Sequence, residues 1–426
     1  MKLLLKNGYV IDSANNFEGS ADILVENDEI IACRPNITDA ADRVIDCTGK
    51  MIIPGICDMH VHFRDPGQTH KEDIITGGDA AVAGGVTAVA CMPNTIPTVD
   101  NAETVKYIIE KAKQSKTRVY PIGSVTKGLE GRELCDFNEL KAAGCVAVSD
   151  DGRPVKNARI MAQAMVRAHY AGLKVISHCE DLDIIDGGIM NSGKVSAELG
   201  VKGMHRLSED TCTAREITLA TDLEVPIHIA HVSTITSMQN IRIAARYGVL
   251  VTSETCPHYF MLTDEKLRSR DADYRMNPPL RTEDDVKAIT EGICDGTIDC
   301  IVTDHAPHAP EEKADFEKAP NGVVGLETSL AATLTALYHT GKVSLKRIVS
   351  LMCVNPRKIL GIDGGSLNEG SLADITIFDP NEEWVVDPAK LHSKSKNTCF
   401  KGMTLKGRVK YTIVGGNVVY EDTERN

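Results

Sequence analysis

Short apolar runs separated by turns open and close the chain, and between those ends the pattern changes. Runs at 3–5, 21–25, 29–33 and 44–47, and again at 373–378, 384–386 and 408–420, have the length of β-strands, with Gly364-Gly365 and Gly415-Gly416 as turns. Neither end has strands enough for a core of its own, so residues 1–51 and 364–426 are expected to pair in one β-rich layer. From 52 to 363, apolar runs of strand length alternate with helical patterns. Strands are predicted at 52–62, 86–94, 119–125, 145–151, 174–178, 227–231, 249–254 and 300–304. Helices are predicted at 101–115, 158–171, 210–222 and 326–339. Eight such strands with crossover helices predict an α/β fold, a (β/α)8 TIM barrel.

Polar residues fall at the ends of these apolar strands. The first ends in His60-Val61-His62, the second in Asn94, the fourth in Asp151, the fifth in His178, the sixth in His231 and the eighth in Asp304. In a TIM barrel those ends form the mouth where active sites lie. His60 and His62 are two apart on a strand, so both face one side and could grip one ion. An H-x-H alone is more often a pair of hydrogen-bonded histidines. With His178, His231, Asp151 and Asp304 at the same mouth the balance moves to metal, because so many buried polar groups would otherwise lack partners. Six ligands exceed one tetrahedral zinc and suit two ions roughly 3.5 Å apart sharing a carboxylate. Such a pair polarises a carbonyl and activates water, which points to hydrolysis of an amide-like bond. His70, His169, His205, His228, His339 and His392 read as surface or packed side chains. His258 is expected to make a structural hydrogen bond, and His305 to support the site from behind.

Composition narrows the function. The 426 residues carry a formal charge of −13, with 42% apolar and 25% charged residues, which fits a globular chain and excludes a phosphate-backbone binder. An anionic substrate then needs a local cation, and Arg64, beside the first strand end, offers a planar fork for a carboxylate. No apolar run reaches the ~20 residues of a membrane span and the start lacks a signal-peptide pattern, so the chain reads as cytoplasmic. Thirteen cysteines without a C-x-x-C pair read as buried reduced thiols. Gly77-Gly78 and Gly84-Gly85 read as turns or helix ends, and the charged stretch 307–325 as a loop able to close over the mouth.

Seven segments, HVHFRDPG at 60–67, MPNT at 92–95, SDDG at 149–152, SHCE at 177–180, AHVS at 230–233, NPPLR at 277–281 and TDHAPH at 303–308, are spread over the chain. Together they resemble the bacterial class I dihydroorotases of the amidohydrolase superfamily, and HVHFRDPG with TDHAPH is the specific combination. The resemblance implies two zinc ions per chain, His60, His62 and Asp304 on one, His178 and His231 on the other, Asp151 bridging. It implies that Arg64, Asn94 and His308, beside His62, bind the substrate's exocyclic carboxylate, and that Asn277 and the Asn321-Gly322 backbone hold the ring amide. The implied reaction is reversible hydrolysis of L-dihydroorotate to N-carbamoyl-L-aspartate in de novo pyrimidine (UMP) synthesis, with a hydroxide between the metals as nucleophile and Asp304 as proton shuttle. Implied partners are a second copy of the chain, or a higher oligomer, and aspartate carbamoyltransferase. Hydantoinases, dihydropyrimidinases and allantoinases are the alternative, although many of them bridge the metals with a carbamylated lysine where this chain has Asp150-Asp151. A non-catalytic dihydroorotase-like subunit is a further alternative, set against the presence of all six ligand residues. Cobalt or manganese in place of zinc stays open.

Overall fold

The computed structural model describes residues 1–423. Its two ends meet in a single eight-stranded sheet, in the order Asn417–Glu421, Thr404–Val414, Ile375–Val385, Met51–Pro54, Lys2–Asp12, Phe17–Glu26, Glu29–Arg34, with Arg43–Asp46 also paired to Lys2–Asp12. Met51–Pro54 makes the junction. It runs parallel to Lys2–Asp12 on one side and antiparallel to Ile375–Val385 on the other, with Ile52 opposite both Val10 and Ile377. Leu3, Leu5, Ile23, Ile52, Ile375, Ile377 and Ile413 fill the core of this layer. Neither terminal segment could bury that face without the other.

Barrel strands are numbered here β1 (Ile56–Val61), β2 (Val86–Cys91), β3 (Arg118–Gly123), β4 (Ala147–Val148), β5 (Val175–Ser177), β6 (Ile227–Ile229), β7 (Val251–Thr255) and β8 (Cys300–Ile301). They lie side by side in chain order, all parallel. Every residue of β1 and β2 is buried, as expected of strands covered on both faces. The ring closes by a point contact: Val61 bridges His305, and the His62 amide donates to the His305 carbonyl at 2.8 Å. Below it, the Thr303 amide donates to the Asp58 carboxylate at 3.1 Å.

Helices begin where the sequence offers caps. The Asn101 side chain accepts from the Thr104 amide ahead of Ala102–Ala112, and Asn157 accepts from the Arg159 and Ile160 amides ahead of Ala158–Tyr170. Three readings change. The strand expected over 52–62 is two strands, broken at Gly55, where a Cβ would lie 2.2 Å from the Thr87 hydroxyl. Gly77-Gly78 is no turn but lies inside the helix Ile74–Ala83; a Cβ on Gly77 would meet the Phe63 ring at 2.5 Å, so the small residue serves close packing of that helix on the segment after β1. The helix expected over 326–339 is α-helical at Ser329–Thr333 and widens to a π-helix at Leu334–Tyr338. Among the described residues all thirteen cysteines are free, with Cys294 exposed and Cys33 half-buried rather than in the core. No helix is long and apolar enough to cross a membrane.

Barrel and terminal sheet are pinned at Asp374. Its side chain, 1% exposed, takes the Arg118 guanidinium of β3 in a forked pair at 2.9 and 3.2 Å and the Gly415 amide at 2.8 Å. Arg118→Met should therefore lower stability by about 2–3 kcal/mol, the scale of hydrogen bonds to a charged group, read as a lower midpoint in urea. An unchanged midpoint would show that the pair contributes nothing to the junction.

Candidate active site

At the C-terminal mouth the strand-end residues converge on one carboxylate. Asp151 Oδ1 lies 3.4 Å from His60 Nε2, 3.3 Å from His178 Nδ1 and 3.8 Å from His231 Nε2, while its Oδ2 is 3.5 Å from His62 Nε2. Two compact donor groups result, His60–His62–Asp151 and Asp151–His178–His231, and Asp151 belongs to both. Asp304 stands at the edge of the first group, with Oδ1 3.1 Å from His62 Nε2 and 3.5 Å from His60 Nε2. All six side chains are buried.

The arrangement fits metal ions. His60 Nε2 and Asp151 Oδ1 are buried with no hydrogen-bond partner, a costly state for two polar atoms that face one another. His178 Nδ1 and His231 Nε2 are 2.6 Å apart, both aimed at one spot. Burial would raise the carboxyls of Asp151 and Asp304, but hydrogen bonds and charge from the surrounding histidines hold both below their ordinary range, in the ionised form a ligand needs. Backbone strain marks the same positions: Arg64, His231 and Asp304 have φ of 58°, 33° and 49°, a conformation that side chains other than glycine adopt at a cost.

An outer layer of groups aims the imidazoles. Glu254, at the mouth end of β7, accepts from His60 Nδ1 at 2.6 Å and also contacts His228 Nε2 at 3.1 Å. That contact fixes which nitrogen of His60 is free for an ion. Glu180 does the same for His178, at 2.9 Å from Nε2, and its other oxygen accepts from the Asn277 amide at 2.9 Å. Asn94 Oδ1 is 2.8 Å from His62 Nδ1, so the side chain expected at a substrate carboxylate also orients a histidine. Asp150 turns away, accepting from the Val125 and Thr126 amides at 2.7 and 3.0 Å. His305 also faces outward, accepting from the Gly325 amide at Nδ1. His258 departs from expectation: its Nε2 is buried without a partner, and burial pulls the ring down to about 4.

Arg64 is buried beside the first group. Its Nε donates to the Pro307 carbonyl at 3.3 Å and its Nη2 lies 3.5 Å from His308 Nε2, so it forms no pair with Asp65 or Glu72. Asp65 is taken by Lys111 at 2.5 Å and by the Tyr107 hydroxyl at 2.9 Å. His308 Nε2 in turn donates to the Asn321 carbonyl at 2.9 Å. Arg64, His308 and the Asn321-Gly322 turn thus form one side of the mouth, and Asn277 with Glu180 lies beside His178. A cavity of about 880 Å³ between the terminal sheet and Leu330–Ala331 contains none of these residues. A smaller one of about 290 Å³ reaches Asn94, with Gln68 and Arg153 on its walls. Convergent strand ends, rather than cavity size, locate the chemistry.

Glu254 and Glu180 were not singled out by the sequence reading. Glu254 stands at the mouth end of a barrel strand, as the candidate donors do, and Glu180 lies two residues beyond His178.

Comparison with known proteins identifies the family. Residues 49–237 match the family model described as dihydro-orotase-like. The chain is 50% identical to the dihydroorotase of Acetivibrio thermocellus over 99% of both chains, and 51% identical to that of Geobacter metallireducens over 99% of this chain and 100% of the relative. Among solved structures, an L-hydantoinase (dihydropyrimidinase) from Arthrobacter aurescens superimposes with a TM-score of 0.90 at 27% identity, covering 100% of this chain and 97% of that one. A dihydropyrimidinase from Brevibacillus agri shares the fold with a TM-score of 0.88 at 24% identity, over 100% and 96%. With half of its residues shared along their whole length, the chain belongs to the dihydroorotases of the amidohydrolase superfamily.

Proposed function

We propose that this chain catalyses the reversible opening of L-dihydroorotate to N-carbamoyl-L-aspartate, with two zinc ions that His60, His62, Asp304, His178, His231 and the shared Asp151 would hold. The observation that carries the reading is the shared carboxylate: two groups of donors, each with two imidazoles, meet on Asp151. Ions bound there supply Lewis-acid polarisation of the ring carbonyl and lower the pKa of water for attack. The chain's own residues supply the remainder. Asp304, at the edge of the first group, takes the proton from the attacking water and delivers it to the departing ring nitrogen. Arg64 presents a guanidinium to the exocyclic carboxylate, with Asn94 and His308 beside it. Asn277 and the Asn321-Gly322 backbone hold the amide edges of the ring. Ring closure uses the same groups in reverse. A cytoplasmic homodimer or larger assembly, with aspartate carbamoyltransferase as partner, goes with this reading.

The likeness to hydantoinases favours a second substrate class, cyclic amides without a carboxylate. Arg64 stands against it, since its buried planar fork beside His308 suits a carboxylate, which a neutral ring does not offer. The discriminating experiment offers the zinc-loaded protein L-dihydroorotate, hydantoin, dihydrouracil and allantoin in parallel and counts metal on the same sample. Preference for dihydroorotate with two ions per chain is expected; preference for a neutral ring would replace the substrate and leave Arg64 structural.

Asp304→Asn should lower kcat by about 10²–10⁴-fold, the usual worth of a positioned acid–base group, and near-normal turnover with metal retained would remove the shuttle role. Glu254→Gln, by loosening the aim of His60, should weaken zinc binding about 10–100-fold in a chelator competition. Equal retention of metal by variant and parent would show that His60 needs no such support.

A further inference from the structure

The stretch 307–325 after β8 has no helix or regular strand, yet it is tied down from inside by a lysine. Lys313 is 9% exposed, and its ammonium donates to three backbone carbonyls: Arg275 at 3.3 Å, Pro320 at 2.9 Å and Gly322 at 2.9 Å. Three N–H donors thus meet three acceptors from two separate segments of chain. The nearby carboxylates Asp271 and Asp273 are both engaged by Lys401, at 2.6 and 2.7 Å. Among the described residues no carboxylate pairs with Lys313. Burial pulls the ammonium down to about 8, so it is still charged at neutral pH.

A neutral donor already serves the same carbonyl. Asn397 donates to the Gly322 oxygen at 3.0 Å and accepts from the His308 amide at 3.2 Å. Asn397 serves one of the three carbonyls that the ammonium ties, and burying a cation to reach the other two is costly. The turn it holds packs on His308: Gly322 has φ 135°, and a Cβ there would lie 3.0 Å from His308 Nε2 and 2.7 Å from the Ala306 carbonyl. His308 is also flanked by Arg64 and by Lys71, each with a nitrogen 3.5 Å away. Burial, followed by the charges of Arg64, Lys313 and Lys71, pushes its imidazole down to about 2, so the ring stays neutral. Among the described residues, Lys71 alone of these cations has a carboxylate ion-pair partner, Glu312 at 3.0 Å.

We propose that Lys313 is a positioning residue for recognition of a carboxylate-bearing ring: its ammonium fixes the Asn321-Gly322 turn against His308 and adds positive potential behind Arg64. This role rests on the reading that Arg64, Asn94 and His308 bind the substrate carboxylate. It gives the mouth of a chain with charge −13 a local positive field for an anion.

Lys313→Met keeps the length of the side chain and removes charge and donors together. Steady-state kinetics with L-dihydroorotate should show KM raised about tenfold or more, kcat lowered no more than about threefold and zinc per chain unchanged, the pattern of lost ground-state binding. A KM within about twofold of the parent, or a loss of kcat or zinc without the rise in KM, overturns the proposal. Should the methionine variant fail to fold, Lys313→Arg decides, because it keeps the charge but its planar fork cannot meet the three carbonyls in the same way. Raised KM with zinc intact then supports positioning, and unchanged KM overturns it. Zinc-loaded parent protein that leaves dihydroorotate untouched would sink the underlying substrate reading instead, whatever Lys313 does.

Discussion

Crowding four imidazoles and two carboxylates into one dry mouth is the constraint on which the rest of this structure depends. Left to themselves, His60 Nε2 and Asp151 Oδ1 face each other unpaired, and His178 and His231 meet nitrogen to nitrogen. Such a cluster is tolerable only where something positive sits between the donors and each ring is held in one orientation. Glu254, Glu180 and Asn94 provide the orientation, each bonded to the nitrogen that the centre does not use. The backbone contributes as well, by accepting left-handed conformations at Arg64, His231 and Asp304 that an ordinary loop would avoid.

Holding that cluster still requires a stiff frame. Barrel strands as short as Ala147–Val148 and Cys300–Ile301 owe their placement to neighbours and to helices outside, and β1 is further anchored by the strand that precedes it. Met51–Pro54 belongs to the terminal sheet, and one glycine later the chain enters the barrel at Ile56 and reaches His60. The terminal layer therefore fixes where the strand carrying His60 and His62 begins, and the Asp374–Arg118 fork ties the same layer to β3.

Much of this was legible in the sequence for physical reasons. Buried parallel strands must be apolar, so a terminal His or Asp stands out, and six of the strand ends gave the convergent cluster directly. Alternating short runs gave the terminal sheet, though not that residues 52–62 divide at Gly55, because the break depends on Thr87, which is remote in sequence. The Gly77-Gly78 pair misled for a similar reason: its role is to admit Phe63, a contact that local propensity does not encode. Glu254 and Glu180 were passed over since a lone glutamate at a strand end has many uses, and only the distance to an imidazole distinguishes them. The function of Lys313 was equally hidden, because its partners are main-chain carbonyls that carry no residue identity.

One feature of the barrel bears on how such a centre moves. The strands pair in order from β1 to β8, whereas the ring shuts through the bridge between Val61 and His305 and the Thr303–Asp58 hydrogen bond. In mechanical terms that seam lacks a strand ladder, and the β4–β5 junction, a single pair of Val148 with Val175, is the next slightest. His60 and His62 lie on one lip of the seam and Asp304 on the other, whereas His178 and His231 follow β5 and β6, away from it. The two donor groups are therefore joined unequally: opening of the seam would part His60 and His62 from Asp304, while His178 and His231 follow neighbouring strands paired at three positions.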